Sequence, residues 1–142
     1  RVGKPMIQTV TLYLFTAVIF LGLDALMLKN VMRPLFETRI SQLLLDDLRL
    51  GPAALFYLFY VAGVVWFVSL PALRDAAPWQ ALFNGALIGA MAYGTYEFTN
   101  YATLKDWAPK MVAVDLIWGT LLTGSAAALG VLITQALFRT QS

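Results

Sequence analysis

The chain of 142 residues is 60% hydrophobic and 13% charged, with a net charge of +2 and a mean hydropathy of +0.72. A soluble domain is roughly 45–50% apolar and about 25% charged, so this is the composition of an integral membrane protein. There is no histidine and no cysteine, which excludes disulfide frameworks, iron–sulfur clusters, zinc fingers, c-type haem attachment and catalytic dyads built on either residue.

A hydrocarbon core about 30 Å thick requires about 20 apolar residues as helix. Uncharged runs of that length lie at 5–23, 50–73, 76–96 and 116–138. They predict an all-α, polytopic membrane protein with four transmembrane helices at 7–28, 52–71, 80–101 and 111–138, forming one domain over 1–142. The first helix contains Asp24, and no small-x-small cleavage site follows it, so it reads as a retained helix rather than a signal peptide.

The connector 29–50 is different in character. Lys29, Arg33, Glu37, Arg39, Asp46, Asp47 and Arg49 are interleaved with apolar residues. Met32, Phe36, Ile40, Leu44 and Leu48 recur every fourth position, with Leu43 beside them. That spacing predicts an amphipathic helix in the interface plane, the alternative being a solvated loop. Gly51 and Pro52 then open the second span, at a position where a missing N–H costs least. Pro71 and Pro78 bracket a short turn, and Pro109 precedes the fourth span. Trp79 and Trp107 lie beside span ends and read as interfacial anchors.

Four spans put both termini on one side, A. Asp24, Glu97 and Asp115 then all fall towards the opposite side, B, at similar depth, together with Tyr60, Tyr93, Asn100 and Trp118. An ionised carboxylate facing lipid costs at least about 2.5–3.5 kcal/mol at mid-membrane. The three acids must therefore face the bundle interior, take up protons, or pair near the interface with Lys29, Arg33, Lys105 or Lys110. Gly85, Gly89, Tyr93 and Glu97 are four apart, as are Asp115, Gly119 and Thr123, with Gly130 farther along. Small residues allow close helix approach, so these stripes predict that the third and fourth helices pack together and bring Glu97 near Asp115. The resulting candidate pocket is Asp24, Tyr60, Tyr93, Glu97, Asn100, Asp115 and Trp118, with Gly85, Gly89, Gly119 and Gly130 as packing positions.

The run 92–107 (AYGTYEFTNYATLKDW) resembles a signature of a bacterial family of four-helix membrane proteins catalogued as domain of unknown function 2177. So do 114–119 (VDLIWG), 56–63 (FYLFYVAG) and Asp24 in the first helix. Family members often have Asp where this chain has Glu97. The resemblance implies a bacterial inner-membrane location and, since members are often found near lipid-modifying genes, a connection with lipid. It implies no particular activity.

Two functional readings follow. One is a non-enzymatic subunit that binds membrane lipid or a partner and helps assemble a membrane complex. The other is a proton-coupled carrier of a cationic or amphipathic molecule, acting as a homo-oligomer because four helices are few for a transport pathway. An enzyme using Glu97 or Asp115 as general base is a third possibility, but no hydrolase motif accompanies either residue. Without imidazole, carboxylates rarely hold a transition metal, so no metal or cofactor is expected. Side B carries six Lys/Arg (29, 33, 39, 49, 105, 110) and side A four (1, 4, 74, 139), a difference too small to fix orientation by the positive-inside rule. No basic cluster with interleaved aromatics points to nucleic acid.

Overall fold

The computed structural model describes residues 3–40, 42 and 49–139. Among these the regular elements are helical, with no strand. In chain order they are α1 (Gly3–Met27), α2 (Arg33–Ile40), α3 (Leu50–Val64), α4 (Leu70–Arg74), α5 (Pro78–Thr103) and α6 (Pro109–Arg139).

Two of the junctions are not breaks. A wide, π-type turn at Leu28–Met32 joins α1 to α2, and a second at Val65–Ser69 joins α3 to α4. In the first the Arg33 N–H reaches back five residues to the Leu28 carbonyl, and in the second the Leu70 N–H reaches the Val65 carbonyl. Both turns end two residues before a proline, Pro34 and Pro71. Proline offers no N–H, and its ring clashes with the carbonyl four residues back. That carbonyl belongs to Asn30 in one case and Phe67 in the other, each inside the wide turn. Widening the helix there makes room for the ring without ending the helix.

The first helix therefore does not stop at 28. It continues as one rod over Pro5–Thr38, and the connector expected to lie as a separate helix over 29–50 is over 29–38 an extension of that rod. Met32 and Ile40 of the apolar stripe are buried, and Phe36 packs on Trp107 with ring centroids 5.3 Å apart. Leu43, Leu44 and Leu48 lie outside the described residues. Gly51–Arg74 and Pro109–Arg139 are also long and apolar enough to cross a membrane, which gives three such helices among the described residues where the uncharged runs predict four. The remaining expected span, 80–101, corresponds to α5, long enough at 26 residues but diluted by Gln80, Asn84, Glu97 and Asn100.

The turn between Pro71 and Pro78 is shorter than its bracketing suggests, because the helix persists to Arg74. The Ala77 N–H bonds the Ala72 carbonyl at 2.9 Å and the Ala76 N–H bonds the Leu73 carbonyl at 3.2 Å. This Schellman arrangement satisfies the last helical carbonyls and requires a left-handed residue. Ala76 supplies it, with φ of 51°.

Packing follows the small residues. A methyl group built on Gly85 would meet the Gly124 Cα at 3.0 Å, and one on Gly89 would collide with the Gly119 carbonyl oxygen. Gly119 in turn lies under the Tyr93 ring, so α5 and α6 run antiparallel in close contact. Farther along α6, Gly130 lies against the Thr16 hydroxyl of α1. All four packing glycines of the sequence reading are consumed within the chain. Phe20, Val61, Val65, Leu122, Ala126 and Val131 fill the space between α1, α3 and α6.

Candidate functional site

The α5–α6 register dictates where the acids meet. With Gly85 beside Gly124 and Gly89 beside Gly119, the next steps towards the B end bring Tyr93 over Gly119 and Glu97 to Asp115. Neither helix carries bulk at the glycine contacts, so the two carboxyls are brought face to face by backbone approach. Glu97 is 0% exposed and Asp115 8%. Oε1 of Glu97 accepts a hydrogen bond from the Trp107 indole N–H at 2.9 Å, whereas Oε2 has no hydrogen-bond partner.

Trp107 reverses its expected role. It lies in the loop after α5, where its sequence position predicts an exposed interfacial anchor, but it is only 7% exposed. Folded back over the end of α5, it donates to Glu97 and packs edge-on to Tyr96 with centroids 6.0 Å apart. Its other face meets Phe36 of α2. A buried indole needs a partner for its N–H, and Glu97 is the acceptor within reach.

Asp24 sits across from this pair on α1, 3% exposed. Its Oδ1 accepts from the Trp118 indole N–H at 3.0 Å, and the Tyr57 hydroxyl approaches the same carboxyl. Oδ2 is buried without a hydrogen-bond partner. Among the described residues no lysine or arginine pairs with Asp24, Glu97 or Asp115. Arg33, one of the expected partners, bonds Glu37 one turn along α2 at 3.1 Å instead. Nor do the three acids gather into one metal-binding group.

Between Asp24 and Asp115 lies a cavity of about 350 Å³. Its walls are the tyrosines 57, 60, 93 and 96 together with Leu28, Met32, Phe36, Ala53, Phe56 and Ala92. The tyrosines are fixed from behind. Phe20 is buried beneath Tyr57 and Tyr60 at centroid distances of 5.7 and 5.5 Å. The Tyr60 hydroxyl shares a 3.0 Å hydrogen bond with that of Thr123, and Tyr60 meets Tyr93 edge-on at 6.4 Å. Asp24, Asp115 and the four tyrosines thus supply the polar groups of an otherwise apolar wall, and among the described residues no basic side chain lines it.

The sequence-derived residues separate into two groups. Asp24, Tyr60, Tyr93 and Asp115 line the cavity. Glu97 and Trp118 do not; each stands behind an aspartate, Glu97 against Asp115 and Trp118 bonded to Asp24. Asn100 lies outside the cavity, where its backbone carbonyl accepts the Leu104 N–H at 2.8 Å and closes the last turn of α5. The wall contributed by Leu28, Met32 and Phe36 has no place in the sequence-derived pocket. Its signal is nevertheless present, since Asp24, Leu28, Met32 and Phe36 recur every fourth residue. In an uninterrupted α-helix such a row drifts by about 40° per step. The wide turn before Pro34 takes back part of that drift and keeps the row facing one space.

The family model described as a predicted membrane protein (DUF2177) matches residues 9–132. No curated protein and no solved structure matches the chain. The matched stretch contains every residue of the cavity wall and both aspartates, and the chain belongs to this family of membrane proteins.

Proposed function

We propose that the protein is a multi-pass protein of the bacterial inner membrane in which α5 is a fourth crossing segment, and that it is a non-enzymatic subunit holding an amphipathic lipid in the cavity at its B end. The fourth crossing is supported by the distribution of side chains on α5. Leu82, Phe83, Leu87, Met91 and Phe98 face outward, while Glu97 is fully buried. At about 1.5 Å per residue its 26 residues reach about 39 Å, enough for a hydrocarbon core. Four crossings leave both termini on one side.

The observation that carries the lipid reading is the cavity itself: an apolar, aromatic space with a buried, incompletely bonded carboxyl at its inner wall. Small-molecule sites take this form, mostly apolar with a few placed polar groups. The glycine stripes are used within the chain, between α5, α6 and α1, so they do not argue for assembly with a partner. The test is native mass spectrometry after extraction in mild detergent. The wild-type chain is expected to retain lipid, and Ala92→Phe, which fills the cavity from an exposed position, is expected to elute at the same volume without it. A wild-type chain that carries no lipid but recovers a second membrane protein would overturn this reading in favour of an assembly subunit.

A second reading, a proton-coupled carrier, draws on the absence of cationic partners for Asp24 and Asp115 among the described residues. Intramembrane acids of this kind exchange protons for cations in carriers. Proton-driven uptake into proteoliposomes that is abolished by Asp115→Asn would support it, and uptake unaffected by that change would exclude it.

A further inference from the structure

We infer that the ligand of this cavity is a cation-headed amphiphile, an alkyl chain bearing an organic ammonium group, with Asp24 as the counter-ion for its head. The inference rests on the reading of the cavity as a lipid-binding site and goes further by naming the class of headgroup. Three observations lead to it. The first is Asp24 itself, 97% buried by its 3% exposure, lining the cavity, with Oδ2 lacking any hydrogen-bond partner. The opposite oxygen is held by Trp118, which fixes the carboxyl in orientation at the cavity wall beside the Tyr57 hydroxyl.

The second is the wall. Tyrosines 57, 60, 93 and 96 converge from α3 and α5, and Phe20 and Thr123 hold two of them in place from outside the cavity. Electron-rich ring faces attract an ammonium carbon shell, and a desolvated aromatic enclosure is the form in which proteins recognise quaternary ammonium groups. The third is the sign of the lining charge. Asp24 and Asp115 are the acids of the wall, and among the described residues no lysine or arginine lines it. A phosphate or carboxylate headgroup would find no cationic partner among these described residues, whereas an ammonium group can pair with the Asp24 carboxyl. The apolar side chains of Leu28, Met32, Ala53 and Phe56 extend the same space in the direction an alkyl chain would take.

The experiment compares two probes of matched size on purified protein in maltoside micelles. Decyltrimethylammonium carries a full positive charge, and decyldimethylamine N-oxide has almost the same shape and no net charge. Binding is read from indole emission, because Trp118 is bonded to the proposed counter-ion. The ammonium probe is expected to bind roughly tenfold tighter than the N-oxide, because only it brings a net charge to the Asp24 carboxyl. Asp24→Asn keeps an acceptor for Trp118 and is expected to remove most of that preference. Should the variant fail to fold, the wild-type comparison decides the question, with Tyr93→Leu as the second variant expected to narrow the preference. Equal affinity for the two probes would overturn the headgroup assignment while leaving a lipid cavity in place. Binding of both probes no tighter than to Ala92→Phe would overturn the cavity reading as well.

Discussion

Substituting Gly89 by alanine tests the packing on which the acid pair depends. The added methyl group would collide with the Gly119 carbonyl oxygen and lie 2.9 Å from the Thr123 Cβ and Oγ1. A side-chain end could rotate away, but a backbone oxygen on the facing helix moves only if α5 and α6 separate. Overpacking of this kind costs about 1–3 kcal/mol. Against it stands the helix-propensity gain of replacing glycine by alanine, about 1 kcal/mol. Because the obstacle is backbone, the upper part of the range applies, and Gly89→Ala should be less stable than wild type by about 1–2 kcal/mol. Gly22 provides the control, since a methyl group there would meet nothing within 4 Å. Gly22→Ala should gain the propensity term alone, so the two variants should differ by about 2–3 kcal/mol in opposite directions from wild type. Unfolding by sodium dodecyl sulfate in mixed micelles, followed by the emission of the four tryptophans, measures this difference. A Gly89→Ala curve at or above that of Gly22→Ala would show that α5 and α6 are not in backbone contact, and the juxtaposition of Glu97 with Asp115 would fall with it.

Three further outcomes follow from other contacts. Ala76→Gly should raise stability by about 1 kcal/mol, since the left-handed conformation that strains an alanine suits glycine; no gain in the same titration would place Ala76 in an ordinary helical end. Trp107→Phe keeps the ring against Phe36 and Tyr96 but leaves Oε1 of Glu97 without its donor, for an expected loss of about 1–3 kcal/mol. If the loss comes from that hydrogen bond, Trp107→Phe should cost much less in a Glu97→Leu background, and a cycle showing additive effects would contradict it. Tyr60→Phe removes the hydroxyl bonded to Thr123 and should cost about 0.6 kcal/mol, the average for a side-chain hydrogen bond between membrane helices; a loss equal to that of Tyr60→Ala would assign the residue's role to its hydroxyl rather than its ring.

Much of the helical architecture is legible in the residues because its causes are local. Long uncharged runs between sparse charges specify helices, and prolines at 52, 78 and 109 mark where helices start. The four-residue stripe of Gly85, Gly89, Tyr93 and Glu97 also points to its partner, because a helix face without bulk has few uses other than close approach. Failures occur where a local signal has a tertiary answer. Pro34 and the surrounding charges suggest the end of a helix, yet a wide turn absorbs the proline and the rod continues. Trp107 near a span end suggests an interfacial anchor, yet the neighbouring buried carboxylate gives its N–H a better partner inside.

What the sequence by itself determined was the membrane class, the position of the acids towards one end, and the small-residue faces that pack α5 on α6, all consequences of composition and helical periodicity. Only the tertiary structure decided which acids line the cavity, Asp24 and Asp115 but not Glu97. Asp24, Glu97 and Asp115 are similar in depth and in chemical character, so nothing in their spacing distinguishes them. Trp107 and the facing helix enclose Glu97, while Trp118 turns Asp24 towards a cavity closed on its far side by Met32 and Phe36. That difference arises from side chains far apart in sequence brought together by packing, and helical periodicity within a single segment does not encode it.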